Sequence, residues 1–203
     1  GGVLAPPATR MEMYCASRPL LEGVAAERLR ALDGVELRDG CQFTEYVADD
    51  SASRIEGVRV REDGDTTELP ADLVVDATGR SSRTPRWLAD HGYEEPPVSE
   101  VNVDFVYSTI RVDRPAGDRR MLFAPQSVPR TSGGAAFPIE GGEWIVTFGG
   151  MHDADPPATV AGFESFADRL PLDGIGRILA EHEVVSDGVD RYPFPSNRRR
   201  RYE

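Results

Sequence analysis

The chain has 203 residues, 39% of them hydrophobic, with 35 acidic against 23 basic residues and a formal net charge of −12. That length supports one large domain or two small ones around a real core, and no apolar run approaches the roughly 18 residues of a membrane-spanning helix. The acidic balance repels nucleic acid and anionic membranes, so neither is an expected partner. Every basic residue is arginine. That usage fits a salt-adapted, halophilic cytosol, where carboxylates hydrate the surface and arginine makes bidentate pairs, and it also fits a high-GC genome. The opening GGVLAPPATR lacks the basic start and apolar stretch of a secretory signal, so the expected location is cytoplasmic. Cys15 and Cys41 are too few and too far apart for a zinc set or a disulfide framework and read as reduced, buried thiols.

Residues 1–16 show no period and contain a Pro-Pro turn, so they read as a loop or broken strand. Ser17 is the expected N-cap of a helix that carries Leu20, Leu21, Val24 and Leu29 on one face and stops at Asp33-Gly34. Val35 to Leu37 alternates as a short strand. Thr44 to Val47 and Ile55 to Val60, around an acidic turn at Asp49-Asp50-Ser51, complete an antiparallel meander. Asp72 to Asp76 is the pattern of a buried strand ending in Ala77-Thr78-Gly79, followed by a short helix from Pro85 to His91. Glu94-Glu95-Pro96-Pro97 marks a domain crossing.

Beyond it Val101, Val103, Phe105 and Tyr107 alternate as a half-buried strand. Met121 to Phe123, Ala135 to Ile139 and Glu143 to Phe148 follow between Gly and Pro turns, giving an antiparallel sheet of at least four strands. A helix over Thr159 to Leu170 presents Val160, Phe163, Phe166 and Leu170 on one face, a second covers Ile175 to His182, and a last strand lies near Val184 to Tyr192. The expected fold class is α+β.

Two segments carry chemistry. In Asp76-Ala77-Thr78-Gly79 small residues follow a strand, which lets a backbone approach a phosphate or ribose; the plain alternative is a strand end that needs glycine for its turn. In Ser17-Arg18-Pro19-Leu20-Leu21-Glu22 a guanidinium at a helix start could clamp a pyrophosphate oxygen; the plain alternative is a solvated capping arginine. His91, His152 and His182 are far apart, which gives no metal set, and no Gly-x-Ser-x-Gly elbow occurs.

The order of these two segments across a meander resembles the FAD-dependent oxidoreductases of the aromatic-hydroxylase type, which are para-hydroxybenzoate hydroxylase-like and related to the geranylgeranyl reductases. Asp-Ala-Thr-Gly is similar to that family's second flavin motif, and the Arg18 segment to its Ser-Arg-x-x-Leu-Glu. The resemblance implies that Arg18, Asp76, Ala77, Thr78 and Gly79 serve the cofactor, FAD, with NAD(P)H as the electron donor. It implies a partial FAD-binding domain over 1–96 and an antiparallel substrate domain over 97–203 that roofs the flavin. Tyr107, Phe137, Pro138 and Trp144 become candidates for a pocket holding an aromatic or isoprenoid-like small molecule, with Phe137-Pro138 the preferred pair; such aromatics are more often core.

The family's first Gly-x-Gly-x-x-Gly turn and its third, Gly-Asp segment do not occur in this sequence, so it reads as a central fragment. Arg198 to Arg201, with Tyr202 and Glu203, read as a solvated connection. No catalytic acid or base is assigned. Hydroxylation, isoprenoid reduction and halogenation all stay open, as does the oligomeric state. The alternatives of another class are a non-catalytic small-molecule-binding module and a fragment with no function of its own.

Overall fold

The computed structural model describes residues 13–194 and 196–202. The expected loop at 1–16 therefore falls mostly, and Glu203 wholly, outside the described residues. Ser17 caps α1 (Arg18–Arg30), its Oγ accepting the Leu20 N–H at 3.2 Å. A hydroxyl at this position satisfies one of the orphan donors of the first turn. The face expected to pack, with Leu20, Leu21, Val24 and Leu29, is exposed.

The chain separates into two compact units. One holds the residues up to Ala25 with Val101–Asn197, the other 26–100 with 198–202.

In the second of these, β1 (Gln42–Ala48), β2 (Ile55–Glu62) and β3 (Asp65–Pro70) form an antiparallel sheet in that order. The Asp49 carboxylate shapes the first turn by accepting the N–H groups of Ser53 at 2.8 Å and Arg54 at 3.0 Å. Two expected strands do not form. Residues 35–37 and 72–76 pair with no strand among the described residues, and Leu73 and Val75 are 79% and 77% exposed rather than buried. An apolar run becomes a strand only where a neighbour completes the ladder. Next comes α2 (Thr84–Asp90), with Pro85 in its first turn, where the missing N–H costs nothing. Its Trp87 stacks on His91 at 4.2 Å and meets Tyr46 edge-on at 5.7 Å between ring centres. A two-stranded ribbon, β4 (Val98–Val101) with β10 (Asn197–Arg200), completes it, so the arginine run expected as a connection is a strand.

The other unit is built on β5 (Phe105–Asp113), β6 (Leu122–Ala124), β7 (Ser132–Ile139), β8 (Glu143–Met151) and β9 (Asp190–Phe194). These make one antiparallel sheet in the order β6-β7-β8-β5-β9. Successive side chains leave a strand on opposite faces. One face carries Ile110, Val112, Trp144, Val146 and Phe148, all at most 1% exposed, packed on α3 (Ala161–Ala167) and α4 (Gly174–Glu181) through Phe163, Phe166, Ile175 and Ile178. Each such side chain contributes roughly 1.5–3 kcal/mol by leaving water. Phe163, Phe166 and Leu170 of the expected helix face are buried, whereas Val160 is 37% exposed. Ser108 points into the same layer, and its hydroxyl is buried without a hydrogen-bond partner. The fold is α+β, and none of its described helices is long and apolar enough to cross a membrane.

Candidate functional site

The segment after β3 becomes a tight turn because Asp76 gathers every nearby donor. Its Oδ1 accepts the Thr78 N–H at 2.9 Å and the Thr78 hydroxyl at 2.5 Å. Its Oδ2 accepts the hydroxyls of Ser82 at 2.6 Å, Thr84 at 2.5 Å and Tyr46 at 3.2 Å. Desolvation opposes ionisation of this carboxyl, but the Ser82, Thr78 and Thr84 donors outweigh it and hold Asp76 well below the usual carboxylate range. Burial, reinforced by the Asp76 charge, raises the Tyr46 phenol.

Beyond Thr78 the chain enters a short 3-10 turn, Gly79–Ser81. Gly79 has φ +65°, with nothing within 4 Å of where a Cβ would stand. The residue thus supplies both a left-handed backbone and open space above it. Ala77, Thr78 and Gly79 are all exposed. Arg200 of β10 holds the turn from the other end of the sequence: its guanidinium donates to the carbonyls of Gly79 and Arg80, each at 3.1 Å. A cleft of about 610 Å³ adjoins the turn, lined by Tyr46, Val74, Asp76, Gly79, Trp87 and Arg200 among others.

Of the residues expected at the cofactor, Thr78 and Gly79 are exposed although the Thr78 N–H and carbonyl and the Gly79 carbonyl are bonded to Asp76, Ser81 and Arg200, while Asp76 spends both oxygens on the protein. Ser82, Thr84, Tyr46 and Arg200 belong to the same arrangement and were not expected. Ser82 and Thr84 lie six and eight residues from Asp76, Tyr46 is on β1, and Arg200 is 121 residues from Gly79, so no local pattern marks them.

In the unit built on the larger sheet, the face away from α3 and α4 carries Phe105, Tyr107, Tyr192 and Phe194 toward one edge and Phe123 and Phe137 toward the other. Tyr107 and Tyr192 lie 5.4 Å apart between ring centres, and Phe123 and Phe137 lie 6.3 Å apart. At mid-sheet the Thr109 and Thr147 hydroxyls share a hydrogen bond of 2.8 Å.

Arg18 lies near this face. Its guanidinium is raised by the hydrogen bond and charge of Glu22, at 2.6 Å, and more weakly by Tyr107 and Tyr192. Glu140 accepts the Ser17 N–H at 2.9 Å and the Ser17 hydroxyl; these two bonds hold the Glu140 carboxyl below its ordinary value.

The four expected pocket residues divide between the two faces. Tyr107 and Phe137 stand on the open face. Pro138 pairs with Trp144 on the helix side, since adjacent residues of a strand cannot share a face. Trp144 is 0% exposed, and its indole N–H donates to the Arg120 carbonyl at 3.1 Å; it is a core residue and lines no pocket. Among the described residues no three His, Cys, Asp or Glu side chains converge as a metal set.

Comparison with known proteins places this architecture. No family model matches the chain. Protein Rv3254 of Mycobacterium tuberculosis is 30% identical over 198 residues, which covers 94% of this chain and 41% of that protein. Among solved structures, the flavin-dependent halogenase CmlS aligns over 88% of this chain and 31% of its own, with a TM-score of 0.59 at 15% identity. The myxobacterial chondrochloren halogenase CndH, a FAD-dependent halogenase, aligns over 89% and 41%, with a TM-score of 0.58 at 17% identity. The Pseudomonas aeruginosa protein pqsL, described as a probable FAD-dependent monooxygenase, aligns over 83% and 46%, again with a TM-score of 0.58 at 17% identity. The chain therefore shares the fold of a part of these flavin-dependent proteins and spans less than half the length of each.

Proposed function

We propose that this chain is part of a FAD-dependent oxidoreductase, a hydroxylase or monooxygenase acting with NAD(P)H on an aromatic or isoprenoid-like small molecule. The observation that carries the reading is the turn at 76–79. It is pinned by Asp76 and Arg200, its residues are exposed, and the space above Gly79 is open, which leaves room for a ligand to approach the chain closely. The residues present fit FAD on that ground. Thr78 and Gly79, with Ala77, would hold it, and Arg18 would offer charge to its phosphates in exchange for Glu22. Asp76 acts as a positioning residue, since its lone pairs are already engaged.

When bound, FAD supplies the redox chemistry; the protein supplies binding, orientation and exclusion of water. Residues 1–96 are assigned to the flavin side. Residues 97–203 are assigned to the substrate side, where Tyr107 and Phe137 on the open face would flank a planar molecule. The fold shared with halogenases and a monooxygenase supports flavin chemistry without choosing among hydroxylation, halogenation and isoprenoid reduction. A salt-adapted cytoplasm is the proposed setting.

The test is an absorbance spectrum and a FAD titration of the full-length protein beside this chain, in high salt. Flavin bands in the full-length protein support the reading. A full-length protein that neither carries nor binds FAD overturns it in favour of a non-catalytic small-molecule-binding module.

A further inference from the structure

Helix α1 begins at a carboxylate that lies far along the chain. Glu140, 123 residues beyond Ser17, accepts the Ser17 N–H at 2.9 Å through one oxygen and the Ser17 hydroxyl through the other. The same hydroxyl accepts the Leu20 N–H at 3.2 Å, so Ser17 joins Glu140 to the first turn of the helix. The residue immediately before Arg18 is thus held by both its backbone and its side chain.

The turn that presents Glu140 is braced in its own right. Gly141 and Gly142, between β7 and β8, have φ +75° and +74°, a left-handed pair that residues with a Cβ rarely adopt. Arg114 N–H donates to the Gly142 carbonyl at 2.8 Å. The Arg114 guanidinium donates to the carbonyls of Glu143 at 3.2 Å and Ile139 at 3.4 Å, on the two sides of the turn. The sheet therefore sets where α1 starts.

This contact has two opposing effects on Arg18. A carboxylate at the helix start occupies the favourable end of the helix dipole and adds negative charge where a phosphate would approach. Against that, it fixes a guanidinium whose side chain is 88% exposed and whose ion pair is with Glu22, on the same helix. The two effects respond differently to salt. At about 1 M, exposed charges are screened beyond about 3 Å, whereas the bonds to Ser17 are made in contact and persist. Glu140 is also engaged by three donors, the two of Ser17 and its own N–H, so positioning outweighs repulsion.

We propose that Glu140 is a positioning residue for Arg18: it anchors the start of α1 on the β7–β8 turn, so that the guanidinium meets a diphosphate on a helix end already in place. The proposal rests on the reading of Arg18 as a phosphate-binding residue of the flavin side and adds the residue that sets its place.

FAD titrations of the full-length protein in about 1 M salt test it. Glu140→Ala should weaken FAD about 3- to 10-fold, the worth of one hydrogen bond. Glu140→Gln should keep most of the affinity, because its amide oxygen still accepts the Ser17 N–H and its NH2 can donate to the Ser17 hydroxyl. Arg18→Ala should cost at least as much as Glu140→Ala, and adding Glu140→Ala to it should change nothing further. Unchanged FAD affinity in Glu140→Ala, equal losses in the Ala and Gln variants, or the same further loss in the Arg18→Ala background would each overturn the proposal. So would tighter binding by either Glu140 variant, which would make this carboxylate a competitor of the phosphates. FAD bound by the unaltered protein but indifferent to Glu140 sinks this proposal alone, whereas no FAD bound at all sinks the flavoenzyme reading and this proposal with it.

Discussion

Asp76→Asn removes one charge and almost no volume from the 76–79 turn, so its cost isolates the hydrogen bonding. The amide oxygen can still accept from the Thr78 N–H and hydroxyl, because a backbone N–H cannot reverse its role. The new NH2 then faces the Ser82, Thr84 and Tyr46 hydroxyls, which must rotate to accept. Charge-assisted bonds become neutral ones, at a loss of about 1 kcal/mol each. Asp76 is exposed, so screening reduces the sum to about 1–2 kcal/mol.

The pH dependence gives a second reading of the same change. The folded-state pKa lies below the unfolded value of about 3.9, so the carboxylate's contribution is complete above that value and is lost only as pH falls through the folded one. The stability difference between the unaltered protein and the Asp76→Asn variant should therefore be flat from pH 8 to about pH 5. Urea unfolding midpoints at high salt measure it, with Asp50→Asn as a control for removing one charge from a chain of net −12. Equal midpoints at pH 7, or a difference already shrinking between pH 7 and pH 5, would show that this carboxylate is not the organiser of the turn.

Other substitutions probe separate parts of the molecule. Ser108→Ala removes the buried hydroxyl that has no partner and should leave stability unchanged or raise it by about 1 kcal/mol in urea melts, since no hydrogen bond is lost. Gly150→Ala places a Cβ 1.4 Å from the Ala154 carbonyl oxygen. Backbone cannot yield there, so a loss above about 4 kcal/mol, or no folded protein by circular dichroism, is expected. Arg200→Ala withdraws both bonds to the Gly79 and Arg80 carbonyls. A FAD titration should show about tenfold weaker binding, and lysine should recover little because it lacks the fork.

What could be read from the residues alone follows the reach of each signal. The first two strands of the meander, the larger sheet, α2, α3 and α4 follow from patterns of two or three to four residues, which persist wherever one face of an element is buried, whereas β3 takes the place expected of residues 35–37. Residues 72–76 show the limit of that signal. Leu73, Val74 and Val75 have the composition of a central strand, but strand formation depends on a neighbour that composition does not report.

At the candidate site, Tyr107 and Phe137 are on the open face, while Pro138 and Trp144 are on the other. Phe137 and Pro138 are expected as a pair on the ground that proline breaks the strand, but β7 runs on through Pro138 and its alternation sends the two side chains to opposite faces. Arg200 was invisible for a different reason: its meaning comes from a contact across 121 residues, and a run of four arginines reads as solvated in isolation.

The larger sheet ends on β6, three residues long and followed by Pro125, and on β9, which contains Pro193. A proline has no N–H to offer an incoming chain, and so short an outer strand gives little template for one. Among the described residues both margins therefore disfavour fibrous growth by rim-to-rim pairing, and association of copies through this unit is directed to its broad surfaces.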